Sequence, residues 1–342
     1  MEKDKYQKSF PYTLILVILG IVLIAVVVFS FFLGRFPISP IELFSIVLSN
    51  IFPITQTWTD QMETVLYNIR LPRILLACLV GCCLSAAGAS FQGIFQNPMA
   101  APDILGATAG AAFGAALAIL NDGNYLAISL SAFVFSLLTV SIVYFISGKA
   151  RGSKILGLIL SGIIIGSLFS AGTSYLKLVA DPSDELPAIT YWLMGSLSGA
   201  TKSTVGMAAI PMTLGLIPMF LIRWRINVLT LGDQEARTMG ISATRLRLFL
   251  IVCATLVTAA SVSVSGMIGW VGLVIPHLAR RLVGNNYKHL MPASMLLGAT
   301  FLLIVDDVSR NLLQTEIPIG ILTAFIGAPF FVYLITKKGE VY

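Results

Sequence analysis

The chain has 342 residues, of which 57% are hydrophobic and 11% charged. Soluble domains carry about a quarter charged residues, so one water-facing core could not hide this many apolar side chains, and lipid must solvate most of the chain. The formal net charge of +6 follows from membrane topology and calls for no nucleic-acid partner.

A helix crosses a bilayer core with about 20 apolar residues. The sequence supplies ten such stretches: 12–33, 72–91, 103–120, 125–147, 155–177, 203–222, 243–264, 270–283, 289–308 and 317–336. They predict an all-α, polytopic membrane protein of about ten transmembrane helices. The first stretch is too long for a signal peptide, and Gly34-Arg35-Phe36-Pro37 after it lacks the small-x-small cleavage pattern. It is expected to remain a helix. The charge-free run 248–279 is too long for one upright helix and is split at Ser265-Gly266, where helix propensity is poorest. Cys78, Cys82, Cys83 and Cys253 fall inside apolar stretches, where they read as small apolar filler and not as metal ligands.

Lys and Arg are retained in cytoplasmic loops. With the N-terminus inside, Lys3, Lys5, Lys8, Lys149, Arg151, Lys154, Arg223, Arg225, Arg237, Arg245, Arg247, Arg280, Arg281, Lys288, Lys337 and Lys338 face the cytoplasm, 16 of the 22 basic residues. Arg35, Arg70, Arg73, Lys177, Lys202 and Arg310 remain outside, with Asp181, Asp184, Glu185, Asp306 and Asp307. Both termini are therefore expected to be cytoplasmic.

Small residues recur at a period of four in Gly106, Gly110, Gly114 and Ala118, and again in Gly162, Gly166, Ser170 and Ser174. Such stripes let helices approach closely in lipid. The second is a candidate lining of a pathway or of a contact with another subunit. No G-x-x-x-x-G-K-[ST] loop is present, since Gly148-Lys149 is followed by Ala150, so ATP phosphates have no P-loop here. The spans hold almost no titratable groups, which an ion-coupled carrier would need. His277, after Pro276, reads as a packed neutral histidine. No paired carboxylates, metal triad or nucleophile with its base marks an enzyme.

The longest segment between spans on the cytoplasmic side is 223–247. Leu231-Gly232 lead into a short helix whose N-terminus is favoured by Asp233 and Glu235 and whose end is set by Gly240. Ala236, Met239 and Ile241 are expected on its exposed face. Spacing alone leaves a solvated loop helix and a docking element equally open.

Leu231 to Gly240 resembles the L-G-x-x-x-A-R-x-x-G element of the FecCD-type permeases, importers of ferric siderophores, haem and vitamin B12. The resemblance covers nearly the whole chain. Arg70-Leu71-Pro72-Arg73, Leu79-Val80-Gly81, Ala87-Gly88, Gln92, Asn97-Pro98 and Leu105-Gly106 follow one signature. Gly269 to Arg280, with Gly272-Leu273-Val274-Ile275-Pro276-His277, follows a second. Asp306 to Arg310, Glu316-Ile317-Pro318-Ile319-Gly320 and Gly327-Ala328-Pro329 follow a third. Ala101 departs from the acidic residue common in the family, and Cys82-Cys83 from a pair of small residues.

The resemblance implies one transmembrane permease domain over 1–342, with a cytoplasmic coupling loop at 223–247. It is expected to pair with a second permease subunit, two cytoplasmic ABC ATPases and an extracytoplasmic binding protein in a prokaryotic inner membrane, embedded in membrane lipid. No cofactor is expected in this chain, ATP and Mg being held by the ATPase. The ATPase-coupling residues would be Leu231, Gly232, Asp233, Glu235, Ala236, Arg237, Met239 and Gly240. Arg70, Arg73 and Arg310 would dock glutamates of the binding protein. The implied cargo is a ferric siderophore, with haem or cobalamin as alternatives.

Overall fold

Helix is the only way, apart from a closed barrel, to satisfy backbone polar groups in lipid, and every regular element among the described residues is helical. The computed structural model describes residues 12–53, 55–149 and 153–336. Both termini and the basic residues Lys3, Lys5, Lys8, Arg151, Lys337 and Lys338 lie outside these. In chain order come α1 (Tyr12–Phe32), α2 (Pro40–Ser49) and α3 (Asp60–Thr64), which runs through a π-helical turn (Val65–Arg70) into α4 (Leu71–Ile94). A 3-10 turn (Pro102–Leu105) precedes α5 (Ala107–Ile119), followed by α6 (Tyr125–Ser147), α7 (Lys154–Val179), α8 (Glu185–Met194) and α9 (Lys202–Leu221). The remainder are α10 (Arg223–Leu231), α11 (Asp233–Thr238), α12 (Ala243–Ser265), α13 (Val271–Val283), α14 (Tyr287–Asn311) and α15 (Ile319–Thr336).

Seven helices are long and apolar enough to cross a membrane: α1, the continuous α3–α4, α6, α7, α9, α12 and α14. The other three expected spans are shorter helices. At 1.5 Å per residue, the 13 residues of α5 reach about 20 Å, short of a core of about 30 Å. Pro102 and the left-handed Gly106 (φ 74°) break the expected 103–120 span into turn and helix. The break at Ser265-Gly266 is present. Gly266 (φ 66°) ends α12, and residues 266–270 run non-helically to α13, itself 13 residues long. Hydropathy did not reveal α2, α8 or α10, which are too short to register as spans. Ser39 and Glu42 cap α2 reciprocally, Ser39 N donating to Glu42 Oε2 at 3.0 Å and Glu42 N to Ser39 Oγ at 3.3 Å.

α4 is the central post, packed on α14, α12, α13 and α9. Its buried surface mixes large side chains such as Leu76 and Phe91 with small residues, Ala77, Ala86, Ala87 and Ala89 being fully buried. α1 lies at the edge against α14, presenting Ile21, Ile24 and Phe29 outward. The close approaches are glycine pairs. A Cβ on Gly81 would collide with the carbonyl of Gly298, and one on Gly88 with the carbonyl of Gly272. Apolar side chains gain little by leaving lipid, so this backbone proximity supplies packing that bulk hydrophobicity cannot.

Both small-residue stripes are partly explained by such contacts. Gly110 and Gly114 seat α5 on α6, where Ser131 Oγ donates to Gly114 O at 2.6 Å. Gly162 and Gly166 of α7 pack on the turn at Ile104–Gly106, whereas Ser170 and Ser174, further along α7, are exposed.

Gly81→Ala and Gly88→Ala are each expected to cost about 1–3 kcal/mol by overpacking. Gly20→Ala, where nothing lies within 4 Å of the added methyl, should be neutral. Reversible unfolding in mixed detergent micelles distinguishes the two classes, and equal effects would refute the close-approach account.

Candidate functional site: two membrane faces and a cavity wall

At the outer ends of α1, α4 and α14, charged groups are sealed into one network. Arg73 reaches Asp306 at 2.9 Å and grips Glu316 with both terminal nitrogens, at 2.8 and 2.9 Å. Arg310 pairs with Asp307 one turn away and also donates to Ser30 Oγ at 2.7 Å. Ser30 Oγ in turn donates to Asp307 at 2.7 Å. Arg70 donates to the carbonyls of Phe31 and Phe36, and Arg35 to those of Arg310 and Leu313, both at 3.1 Å.

Arg70, Arg73 and Arg310, which the resemblance implies for docking glutamates of a binding protein, are buried within this chain. They are 2%, 7% and 7% exposed, and this chain's own carboxylates, carbonyls and the Ser30 hydroxyl take up most of their donors, Arg310 Nε having no hydrogen-bond partner. Asp306 and Asp307, assigned to the outer surface, are buried as well. Removing one member of such a pair would strand a charge in low dielectric, so the network holds the outer helix ends together. Glu316 and Ser30 were missed as members. Glu316 lies within the third signature, but nothing in sequence spacing pairs it with Arg73. Burial of Glu316 favours its neutral form, yet the Arg73 guanidinium prevails and holds the carboxyl below its ordinary range.

At the opposite face, α10 ends at Gly232 (φ 119°) and α11 begins. Gly240 (φ 74°) stops it, with Gly240 N donating to Arg237 O and Ile241 N to Ala236 O, a Schellman closure that L side chains resist. Leu231, Asp233, Glu235, Arg237 and Met239 are exposed and Gly232 is half-buried. Ala236, expected on the exposed face, is instead fully buried, because it is the contact through which this short helix rests on the body. Asp233 tethers α11 to the buried Arg247 of α12 at 2.7 Å. That hydrogen bond is the main cause holding the Asp233 carboxyl below its ordinary range.

Between the faces, a cavity of about 790 Å³ runs along α15. Met194, Met267, Trp270 and Phe325 dominate its wall, Thr108 and Thr258 add hydroxyls, and Asp103 is its one ionisable lining residue. None of Gly162, Gly166, Ser170 or Ser174 lines it. Trp270, with φ 70° in the non-helical link before α13, escaped the sequence reading because its place depends on a backbone turn. Cys82 and Cys83 are free thiols packed within α4.

A family model described as the FecCD transport family matches residues 22–337. The chain belongs to this family. It is 39% identical over 338 residues to the molybdate import system permease protein MolB of Haemophilus influenzae, across 98% of each chain. With the Fe(3+)-citrate import system permease protein YfmE of Bacillus subtilis it shares 38% over 339 residues, again 98% of each. The solved structure of an ABC transporter in an inward-facing conformation superposes with a TM-score of 0.84 at 39% identity, covering 94% of this chain and 98% of that one. The FecCD protein is thus a multi-pass ABC importer permease of the inner membrane.

Arg73→Ala in this permease should lower stability by about 3–5 kcal/mol, because it leaves Asp306 buried and unpaired. Arg73→Ala with Asp306→Ala should lose less than the sum of the single losses, read by unfolding in detergent; additive losses would refute the coupling. Asp233→Asn should speed hydrogen exchange across 233–240. A depressed carboxyl contributes above its unfolded pKa and is lost as pH falls through its lower folded value. Wild-type protection should therefore persist through neutral and mildly acidic pH, and match the variant only below the ordinary carboxylate range.

Proposed function

We propose that this permease carries a ferric siderophore inward from an extracytoplasmic binding protein, driven by two cytoplasmic ATPases that engage α11. Two copies of the chain, or this chain with a close homologue, enclose the pathway. α11 carries this reading. It is a helix too short to stand alone, pinned by Asp233 to Arg247 and resting on buried Ala236, with Leu231, Glu235, Arg237 and Met239 turned outward. Presenting charge and apolar surface together on a rigid support suits insertion into a groove on another protein. ATP and Mg belong to that partner.

The outer face receives the binding protein in this reading. Arg70, Arg73 and Arg310 hold the frame of that face instead of gripping the partner directly. Ser170 and Ser174, exposed on α7, face the second permease subunit.

The cavity wall favours a bulky cargo with apolar surface. Its lining has no Lys or Arg to hold a small oxyanion and a single carboxylate, Asp103. Haem and cobalamin share that size class. A molybdate cargo is the second reading, favoured by the likeness to MolB. An ion-coupled carrier finds less support: the buried acids Asp306 and Asp307 are both engaged with arginines, leaving neither free to relay an ion.

Arg237→Glu should abolish ATP-driven uptake into proteoliposomes containing the full transporter while leaving the permease folded; wild-type uptake would sink the coupling role. Supplied in parallel with labelled ferric siderophore and labelled molybdate, each with its own binding protein, the wild-type complex should accumulate iron. Accumulation of molybdenum alone would replace the cargo and leave the coupling role intact.

A further inference from the structure

A second cavity, of about 760 Å³, opens between α10 and α12 on the face that charge asymmetry makes cytoplasmic. Ile222, Leu246 and Phe249 form apolar lining, while Trp224, Arg225 and Arg245 also border it. Ile222 directly follows α9, and Phe249 lies in the second turn of α12. The cavity therefore sits where two membrane-crossing helices emerge from the hydrocarbon. Trp224 and Phe249 are 49% and 43% exposed, and the Arg225 guanidinium lies 5.2 Å from the Trp224 ring centroid. Neither Arg225 nor Arg245 has an acidic partner among the described residues.

We propose that this cavity binds the headgroup of an anionic phospholipid from the cytoplasmic leaflet. Two unpaired guanidinium groups bordering one apolar-lined pocket match a phosphodiester, which accepts charge-assisted hydrogen bonds from the planar forks. Basic pockets between membrane helices on the cytoplasmic side are suited to such headgroups. The flanks decide between lipid and a protein carboxylate. Leu221 on α9 and Leu248 and Val252 on α12, near the lining residues Ile222 and Phe249 in sequence, are exposed apolar side chains, which offer acyl chains a surface that an acidic side chain would leave empty. Met239 and Gly240, at the end of α11, also border the cavity, so an occupied site would buttress that helix. The proposal does not depend on the cargo or on the identity of the ATPase.

The test uses the full-length chain. Native mass spectrometry after partial delipidation should show phosphatidylglycerol retained over phosphatidylcholine, and Arg225→Gln with Arg245→Gln should reduce that preference roughly tenfold. Lys154→Gln, at the start of α7 and outside the cavity lining, should leave it unchanged. In nanodiscs, brominated phosphatidylglycerol should quench tryptophan emission more than brominated phosphatidylcholine, and Trp224→Phe should remove that excess. The quenching arm needs no arginine variant and stands even if that variant fails to fold. Equal retention of the two lipids, no excess quenching, or displacement of the lipid by inorganic phosphate alone would overturn the proposal. Shielding of Trp224 from brominated lipid by added ATPase subunits would also overturn it, assigning the cavity to the protein partner.

Discussion

Charge buried in a low dielectric must be paired where it lies, and in this chain that requirement organises the outer ends of the helices. Arg73 on α4, Asp306, Asp307 and Arg310 on α14, and Glu316 in the following loop pair with one another within hydrogen-bonding reach, with Ser30 of α1 drawn in. Pulling any one of these groups away would expose its partner to an environment that solvates charge poorly. The ends of α1, α4 and α14 are fixed relative to one another for that reason, more firmly than their apolar contacts in lipid could achieve. Glu316 extends the constraint into the α14–α15 loop. Beyond it, Ile319 N donates to Gly195 O at 2.9 Å and Ser196 N to Ser265 O at 2.8 Å, so the ends of α8, α12 and α15 are stitched together beside the cavity wall.

The inner face is held differently. One half-exposed pair, Asp233 with Arg247, and one buried alanine support α11. An ion pair open to water is weaker and more easily rearranged than a sealed network, which leaves the inner attachment the more yielding of the two. Arg247 belongs to α12, the helix that carries Thr258 and Val262 into the cavity wall and ends at Ser265 in the outer stitch. One rigid element thus joins α11 to the wall. Displacement of α11 has a geometric route to the cavity through Arg247 and the body of α12.

Composition and hydropathy are enough to place the chain in lipid, to make it helical and to locate most of its spans, because bilayer thickness and the lack of water in it leave few alternatives. The sequence also determined α11 and its limits, since Gly232 and Gly240 mark backbone conformations that other residues resist, and the break at Ser265-Gly266. Those are local properties. That Arg70, Arg73 and Arg310 are buried against this chain's own groups shows only in the packing, because it depends on residues such as Asp306, more than two hundred positions from Arg73. The packing also decided that Ala236 faces inward, that Gly162 and Gly166 serve the fold, and that Trp270 and Phe325 share one cavity wall. No period or motif encodes those pairings; they follow from how close small residues allow the helices to come, and from where the buried charges must meet.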